Sequence, residues 1–202
     1  MRAIVAQPLT REAFGPFGEV IETENARHYS INSGRTERYH ALARSEAAGP
    51  NGHVIINIFK GMPYSFPVKL DMVERHPLGS QAFFPLTARP FLVIVSHDKD
   101  GQPGEPHVFL TKPWQGVNYP RNLWHGVLAP IGEPQDFIVV DRTGDGNNLE
   151  EFFFPEPYEI RLPTAQYEVA FGSGRFGDDD DEKCRFHSIG ARYDKADSAS
   201  PQ

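Results

Sequence analysis

Glycine and proline break this sequence every few residues, with eighteen of each among 202. Proline removes a backbone donor and glycine weakens any regular element that contains it. Only short segments fit between such breaks. Those segments are rich in Val, Ile and Phe, the residues that suit a pleated surface. Val54-Ile55-Ile56-Asn57-Ile58-Phe59 follows the turn Pro50-Asn51-Gly52 and reads as a strand. Phe91-Leu92-Val93-Ile94-Val95 is apolar on both faces, which predicts a central strand or one buried at a subunit contact. Pro106-His107-Val108-Phe109-Leu110 and Phe137-Ile138-Val139-Val140-Asp141 are two more. Many short strands with turns between them predict an all-β sandwich, jelly roll or barrel.

Helix signals are few. Thr10-Arg11-Glu12-Ala13-Phe14 predicts one helical turn capped by Thr10, ended by Gly15-Pro16-Phe17-Gly18. Residues 3–9 read as an edge strand, and 19–22 as a further one.

Two stretches concentrate chemistry. The first runs Glu74-Arg75-His76-Pro77-Leu78-Gly79-Ser80-Gln81 and then turns apolar. It follows an alternating run from Val68 to Met72, so a strand continuing to His76 carries Leu70, Met72, Glu74 and His76 on one face. Arg75 alternates away from that face. The second stretch is Gly116-Val117-Asn118-Tyr119-Pro120-Arg121-Asn122-Leu123-Trp124-His125. Each is a polar cluster at a strand–turn–strand junction. Together they predict two edges of one small barrel meeting over one pocket.

This two-part pattern resembles the cupin superfamily, and within it the ureidoglycolate lyase family. The likeness rests on the residues just quoted, on Glu37-Arg38-Tyr39-His40, on Gln115 to Tyr119, and on Asp136-Phe137 and Asp141-Arg142. It covers roughly residues 3–157. The resemblance implies a cupin-type jelly-roll barrel and cleavage of (S)-ureidoglycolate to glyoxylate and urea in allantoin catabolism. It also implies a homodimer and an association with nickel.

Metal-binding cupins usually present His-x-His, then Glu, then a distant His. This chain has Glu74-x-His76, Gln81 where the Glu would be, and His125 as the distant His. A full three-histidine, one-glutamate site is therefore not written here. Glu74, His76 and His125 could hold a divalent metal as two imidazoles and a carboxylate with open positions. Alternatively, Glu74 and His76 pair with each other at the barrel mouth. For the lyase reaction the expected roles are a base (His125 or Glu74) and an acid (His76). Arg38 or Arg75 would clamp the carboxylate, since a guanidinium binds one bidentately. Gln81 or Tyr119 would bond the ureido group. The competing readings are a metal-dependent dioxygenase or isomerase acting on a small organic acid, and a non-catalytic binder of such acids.

Composition excludes other classes. A net charge of −7 argues against nucleic acid, whose phosphates need a basic surface. No apolar run is long enough to span a membrane and the start lacks a secretory pattern, so a cytoplasmic location is expected. The single cysteine, Cys184, precludes an intrachain disulfide and fits a reducing compartment. No Gly-x-Ser-x-Gly elbow or nucleotide-binding glycine loop is present. The expected division is a catalytic domain over 1–160 and a largely flexible extension over 161–202, with a further strand within 161–173. Residues 91–95 and Phe152-Phe153-Phe154 are the apolar stretches offered for a subunit contact.

Overall fold

A computed structural model describes residues 1–163. The N-terminal third holds β1 (Arg2–Val5), β2 (Gln7–Pro8), α1 (Arg11–Phe14), β3 (Glu19–Ile21), β4 (His28–Ile31), β5 (Thr36–Tyr39) and β6 (His53–Gly61). The middle holds β7 (Val68–Arg75), β8 (Gln81–Pro85), β9 (Phe91–Ser96), β10 (Asp98–Lys99), β11 (Gln102–Pro103) and β12 (His107–Leu110). The remainder is β13 (Gly116–Tyr119), β14 (Trp124–His125), β15 (Ala129–Pro130), β16 (Gln135–Thr143) and β17 (Glu150–Arg161). The fold is all-β, a barrel, one of the architectures that the turn spacing predicted.

Two sheets build the barrel. The larger has the order β1-β17-β7-β14-β9-β12-β2, with β15 joining β9. The smaller has the order β3-β13-β8-β16-β6. Strands β1 and β2 sit at opposite ends of the larger sheet yet are one continuous segment. Arg2 to Val5 pair in parallel with Tyr158 to Arg161, and Gln7 and Pro8 with Phe109 and Leu110. Ala6 between them is buried. One segment of chain thus ties both free edges of the larger sheet.

Thr10 caps α1 as expected, its hydroxyl oxygen accepting from the Ala13 amide at 3.1 Å. The turn drives Phe14 into an apolar cluster with Phe83, Phe109, Val117, Phe137 and Val139. That cluster takes residues from both sheets and fills the space between them. A second cluster holds Leu70, Met72, Leu92, Ile94, Val108 and Ile160 of the larger sheet. Strand β9 contributes odd residues to the first and even ones to the second, which is why it is apolar on both faces. It is a central strand, wholly buried within this one chain. Phe152 and Phe154 also pack on the core, leaving Phe153 exposed.

Strand β17 is the longest element among the described residues, and its sequence does not read as a strand. Pro155 and Pro157 sit inside it. Proline usually demotes a strand because it lacks a ladder donor. Here the register shifts between Phe153 and Tyr158, so the prolines fall in the irregular span. Leu162 is buried in the core. Of the further strand expected within 161–173, residues 164–173 lie outside the described residues, and so does Cys184.

Close strand approach fixes some glycines. A Cβ on Gly116 would stand 2.5 Å from the Phe83 carbonyl oxygen. Gly116→Ala is therefore expected to cost roughly 1–3 kcal/mol by overpacking. An unchanged urea midpoint would show that β8 and β13 can separate freely.

Candidate active site

Strand β14 is only two residues long, and it fixes the site. His125 lies opposite Glu74 of β7 on one side and Val95 of β9 on the other. Residues opposed in a ladder share a face, so Glu74 and His125 point the same way as Val95 of the inter-sheet cluster. The next residue on that face of β7 is His76, just past the strand end. Glu74, His76 and His125 each bring one ligand atom within 4.8 Å of the others. The two imidazole rings stand 5.1 Å apart, and His76 Nε2 lies 3.9 Å from Glu74 Oε1.

Hydrogen bonds fix both rings. His76 Nδ1 donates to the Asn148 carbonyl at 2.7 Å, and His125 Nδ1 to the Gly126 carbonyl at 3.0 Å. A carbonyl only accepts, so both Nδ1 atoms carry protons, and it is the neutral form of each ring that leaves a lone pair on Nε2. Both Nε2 atoms are buried, and neither has a hydrogen-bond partner among the described residues. Buried polar atoms seldom stay unpaired. Two such lone pairs converging beside a carboxylate call for a shared electropositive partner, either a proton donor on a ligand or a cation. The donor set thus fits a divalent metal.

Burial sets the electrostatics. It pushes His125 down to about 3, with the neighbouring His76 adding to the drop and the Gly126 carbonyl opposing it. The ring is neutral at pH 7. Burial also raises Glu74; His76 opposes this, while Glu151 and Asp141 add to it. The Tyr119 phenol is held far above its ordinary value by burial, with Glu74 adding, so it stays protonated. Its ring stacks on His125 at 4.6 Å and 22°.

Gln81 opposes Tyr119 across the β8–β13 ladder, and both are buried. The structure therefore gathers Glu74, His76, His125, Tyr119 and Gln81 at one end of the inter-sheet cluster. It does not bring Arg75 to them. That guanidinium donates to Glu150 at 2.6 Å and Asp98 at 2.8 Å, and lies 4.3 Å from the Trp124 ring centre. Alternation accounts for this, since Trp124 and Arg75 flank His125 and Glu74 on the reverse face. Arg38 sits on the exposed β4–β5 hairpin, 5.8 Å from the Tyr29 ring. Among the described residues it pairs with no carboxylate.

Two groups at the site had no assigned role in the sequence reading. Asn148 acts through its backbone carbonyl, which no residue type announces. Asp141 was legible in principle: it follows Phe137 and Val139 on the buried face of β16, and an acid ending such a face is a signal.

The ureidoglycolate lyase family profile matches residues 1–161. A ureidoglycolate lyase of Chelativorans sp. (strain BNC1) is 64% identical over 163 residues, 81% of this chain and 99% of its own length. One from Mesorhizobium japonicum is 63% identical over 163 residues, 81% of this chain and all of its own. A solved dTDP sugar isomerase from Desulfovibrio desulfuricans G20 is similar with a TM-score of 0.41 and 15% identity, over 67% of this chain and 83% of that one. On the span and identity of the sequence matches, the chain belongs to the ureidoglycolate lyase family.

Proposed function

We propose that this protein cleaves (S)-ureidoglycolate to glyoxylate and urea, with Glu74, His76 and His125 as its acid–base centre. The observation that supports this most is the pair of buried, unpartnered Nε2 atoms beside a carboxylate, in a chain so close to named lyases.

The reaction moves one proton from oxygen to nitrogen. The C–N bond of the substrate breaks with its electron pair going to the urea nitrogen. The hydroxyl O–H gives up its proton as the C=O of glyoxylate forms, and that proton ends on the urea nitrogen. Nothing else enters or leaves. Glu74 is the better base, because burial raises its carboxyl toward neutral pH, where proton transfer is most effective. His76 Nε2, 3.9 Å from Glu74, is the atom through which the proton reaches the leaving nitrogen. His125 stays neutral, and Tyr119 on its ring closes that side from water. The same three side chains would hold a divalent metal, nickel by family resemblance, which would supply Lewis-acid stabilisation of negative charge on the substrate oxygen. Metal analysis of protein purified without chelator separates the two uses of this donor set.

Arg38 is the arginine proposed for the substrate carboxylate, since Arg75 is committed to Glu150 and Asp98. Arg38→Ala is expected to raise KM about tenfold or more with little change in kcat, the pattern of lost uniform binding. Equal loss in Arg75→Ala, or an unchanged KM in Arg38→Ala, would reverse that assignment. A homodimer is proposed from strand β6, the edge of the smaller sheet. Val54, Ile56 and Ile58 are exposed there in a row, and long apolar edges are normally covered. No helix among the described residues is long and apolar enough to cross a membrane; a cytoplasmic location is proposed with the metabolic role.

The deciding experiment incubates chelated protein with fresh ureidoglycolate and follows urea, glyoxylate and ammonia against the spontaneous background. Urea and glyoxylate without ammonia are expected. Ammonia would mean a hydrolytic amidase, and no product even with nickel restored would mean another substrate.

A further inference from the structure

The acid–base scheme leaves Gln81 and Asp141 unused, although both are more than nine-tenths buried. Asp141 Oδ1 accepts from the Arg142 backbone amide at 2.7 Å, and Oδ2 from Gln81 Nε2 at 3.3 Å. No cation neutralises Asp141 among the described residues. The neighbouring Arg142 side chain is spent on the carbonyls of Ala48, Gly144 and Asp145.

A carboxylate oxygen accepts and does not donate. Asp141 therefore fixes which way the Gln81 amide lies: the NH2 end faces the aspartate and the carbonyl end faces away. That carbonyl oxygen, Gln81 Oε1, is buried and has no partner among the described residues. Gln81 stands opposite Tyr119, whose ring covers His125. The free acceptor therefore belongs to the same pocket end as the catalytic imidazoles.

We infer that Asp141 is a specificity-determining residue, which turns the carbonyl oxygen of Gln81 into the site as an acceptor for the terminal NH2 of a ureido group. This rests on the lyase reading and adds the orientation of the substrate. A ureido nitrogen brings two N–H donors to a wall of acceptors. The carboxylate end of the same substrate would set oxygen against oxygen there. The ureido group accordingly lies toward Gln81 and Asp141, and the carboxylate points away from them.

Two unreactive acids test this. N-carbamoylglycine and N-acetylglycine both lack the hydroxyl that cleavage needs, and they differ by NH2 against CH3. Their binding is measured by calorimetry to the wild-type protein, Asp141→Asn and Gln81→Met. Wild-type protein should prefer the carbamoyl acid by about tenfold or more, as expected of a site built to pair a buried donor. Both variants should bring the ratio close to one. Asparagine can itself donate to Gln81 and so frees the amide to turn, while methionine removes the acceptor. A merely structural role for Asp141 would weaken both ligands alike and keep the ratio. No preference in the wild type, or an undiminished preference in the variants, overturns the inference. If Asp141→Asn does not fold, Gln81→Met decides. Nickel titrated alone should bind Gln81→Met as it binds the wild type; a clear loss would make Oε1 a metal donor and overturn the inference too. Wild-type turnover of ureidoglycolate is followed alongside. Without glyoxylate and urea the lyase reading itself fails, whereas turnover without a carbamoyl preference sinks this inference alone.

Discussion

His125→Ala should reduce kcat on ureidoglycolate by about a hundredfold, the scale of loss when reacting groups lose their positions, because the neutral ring holds the space beside Glu74 and His76. It also removes one of the two free Nε2 lone pairs, so any divalent metal held by the three side chains should be lost in the same variant. The fold should survive at neutral pH, because the ring is uncharged there and its hydrogen bond is to its own neighbour, Gly126. Acid stability should change in the opposite sense. Burial lowers the folded-state value of His125 from 6.5 to about 3. The unfolded chain therefore takes up a proton that the folded chain refuses. Stability from this group is full above about 6.5 and is lost as pH falls toward 3. Without His125 the protein should lose less stability between those values. Near-native turnover, or an unaltered acid limb in a denaturation series, would remove His125 from the mechanism or from the buried environment described.

Arg142→Met should be the most damaging single change to the fold. Arg142 is among the largest side chains that are fully buried. Its guanidinium donates to the carbonyls of Ala48 at 2.8 Å, Gly144 at 3.2 Å and Asp145 at 2.7 Å. These carbonyls belong to two loops that are otherwise tied by the Ala47–Gly79 bridge and by the Asp145 amide donating to the Pro50 carbonyl. Methionine fills much of the volume and leaves all three acceptors bare, which should cost roughly 3–5 kcal/mol. That is a large part of the ~5–15 kcal/mol that holds a domain together. Arg142→Lys should recover little, since an ammonium cannot reproduce the planar fork. A denaturant midpoint within about 1 kcal/mol of wild type would show that water can replace the guanidinium. Gly79 belongs to the same arrangement, because a Cβ there would meet Arg142 Cβ at 2.5 Å.

Much of this was legible because strands repeat with period two. The run from Val68 to Met72 announced β7, and its continuation placed Glu74 and His76 together and sent Arg75 to the reverse face. The strongly apolar β9 and β16 were equally plain. Strand β17 was not, because Pro155 and Pro157 carry a local signal that only tertiary pairing overrides. Strands β13 and β14 were foreseen only as parts of a strand–turn–strand junction, because at four and two residues they are too short to show alternation. The contacts that orient the site were the least visible. The Asn148 carbonyl is backbone, and the pairing of Gln81 with Asp141 joins residues sixty positions apart. Neither leaves a mark on a single sequence.

The tie formed by residues 2–8 has a consequence for the order of assembly. During synthesis β1 emerges before the other strands of the barrel, while its ladder partner Tyr158 to Arg161 is among the last of them to appear. At ribosomal rates of about 5–20 residues per second, the wait is on the order of ten seconds. Through that interval β1 has no mate, although β2 can already pair with β12. The barrel therefore closes only after β17 has been made, and the strand that precedes all the others in sequence is among the last to find its place.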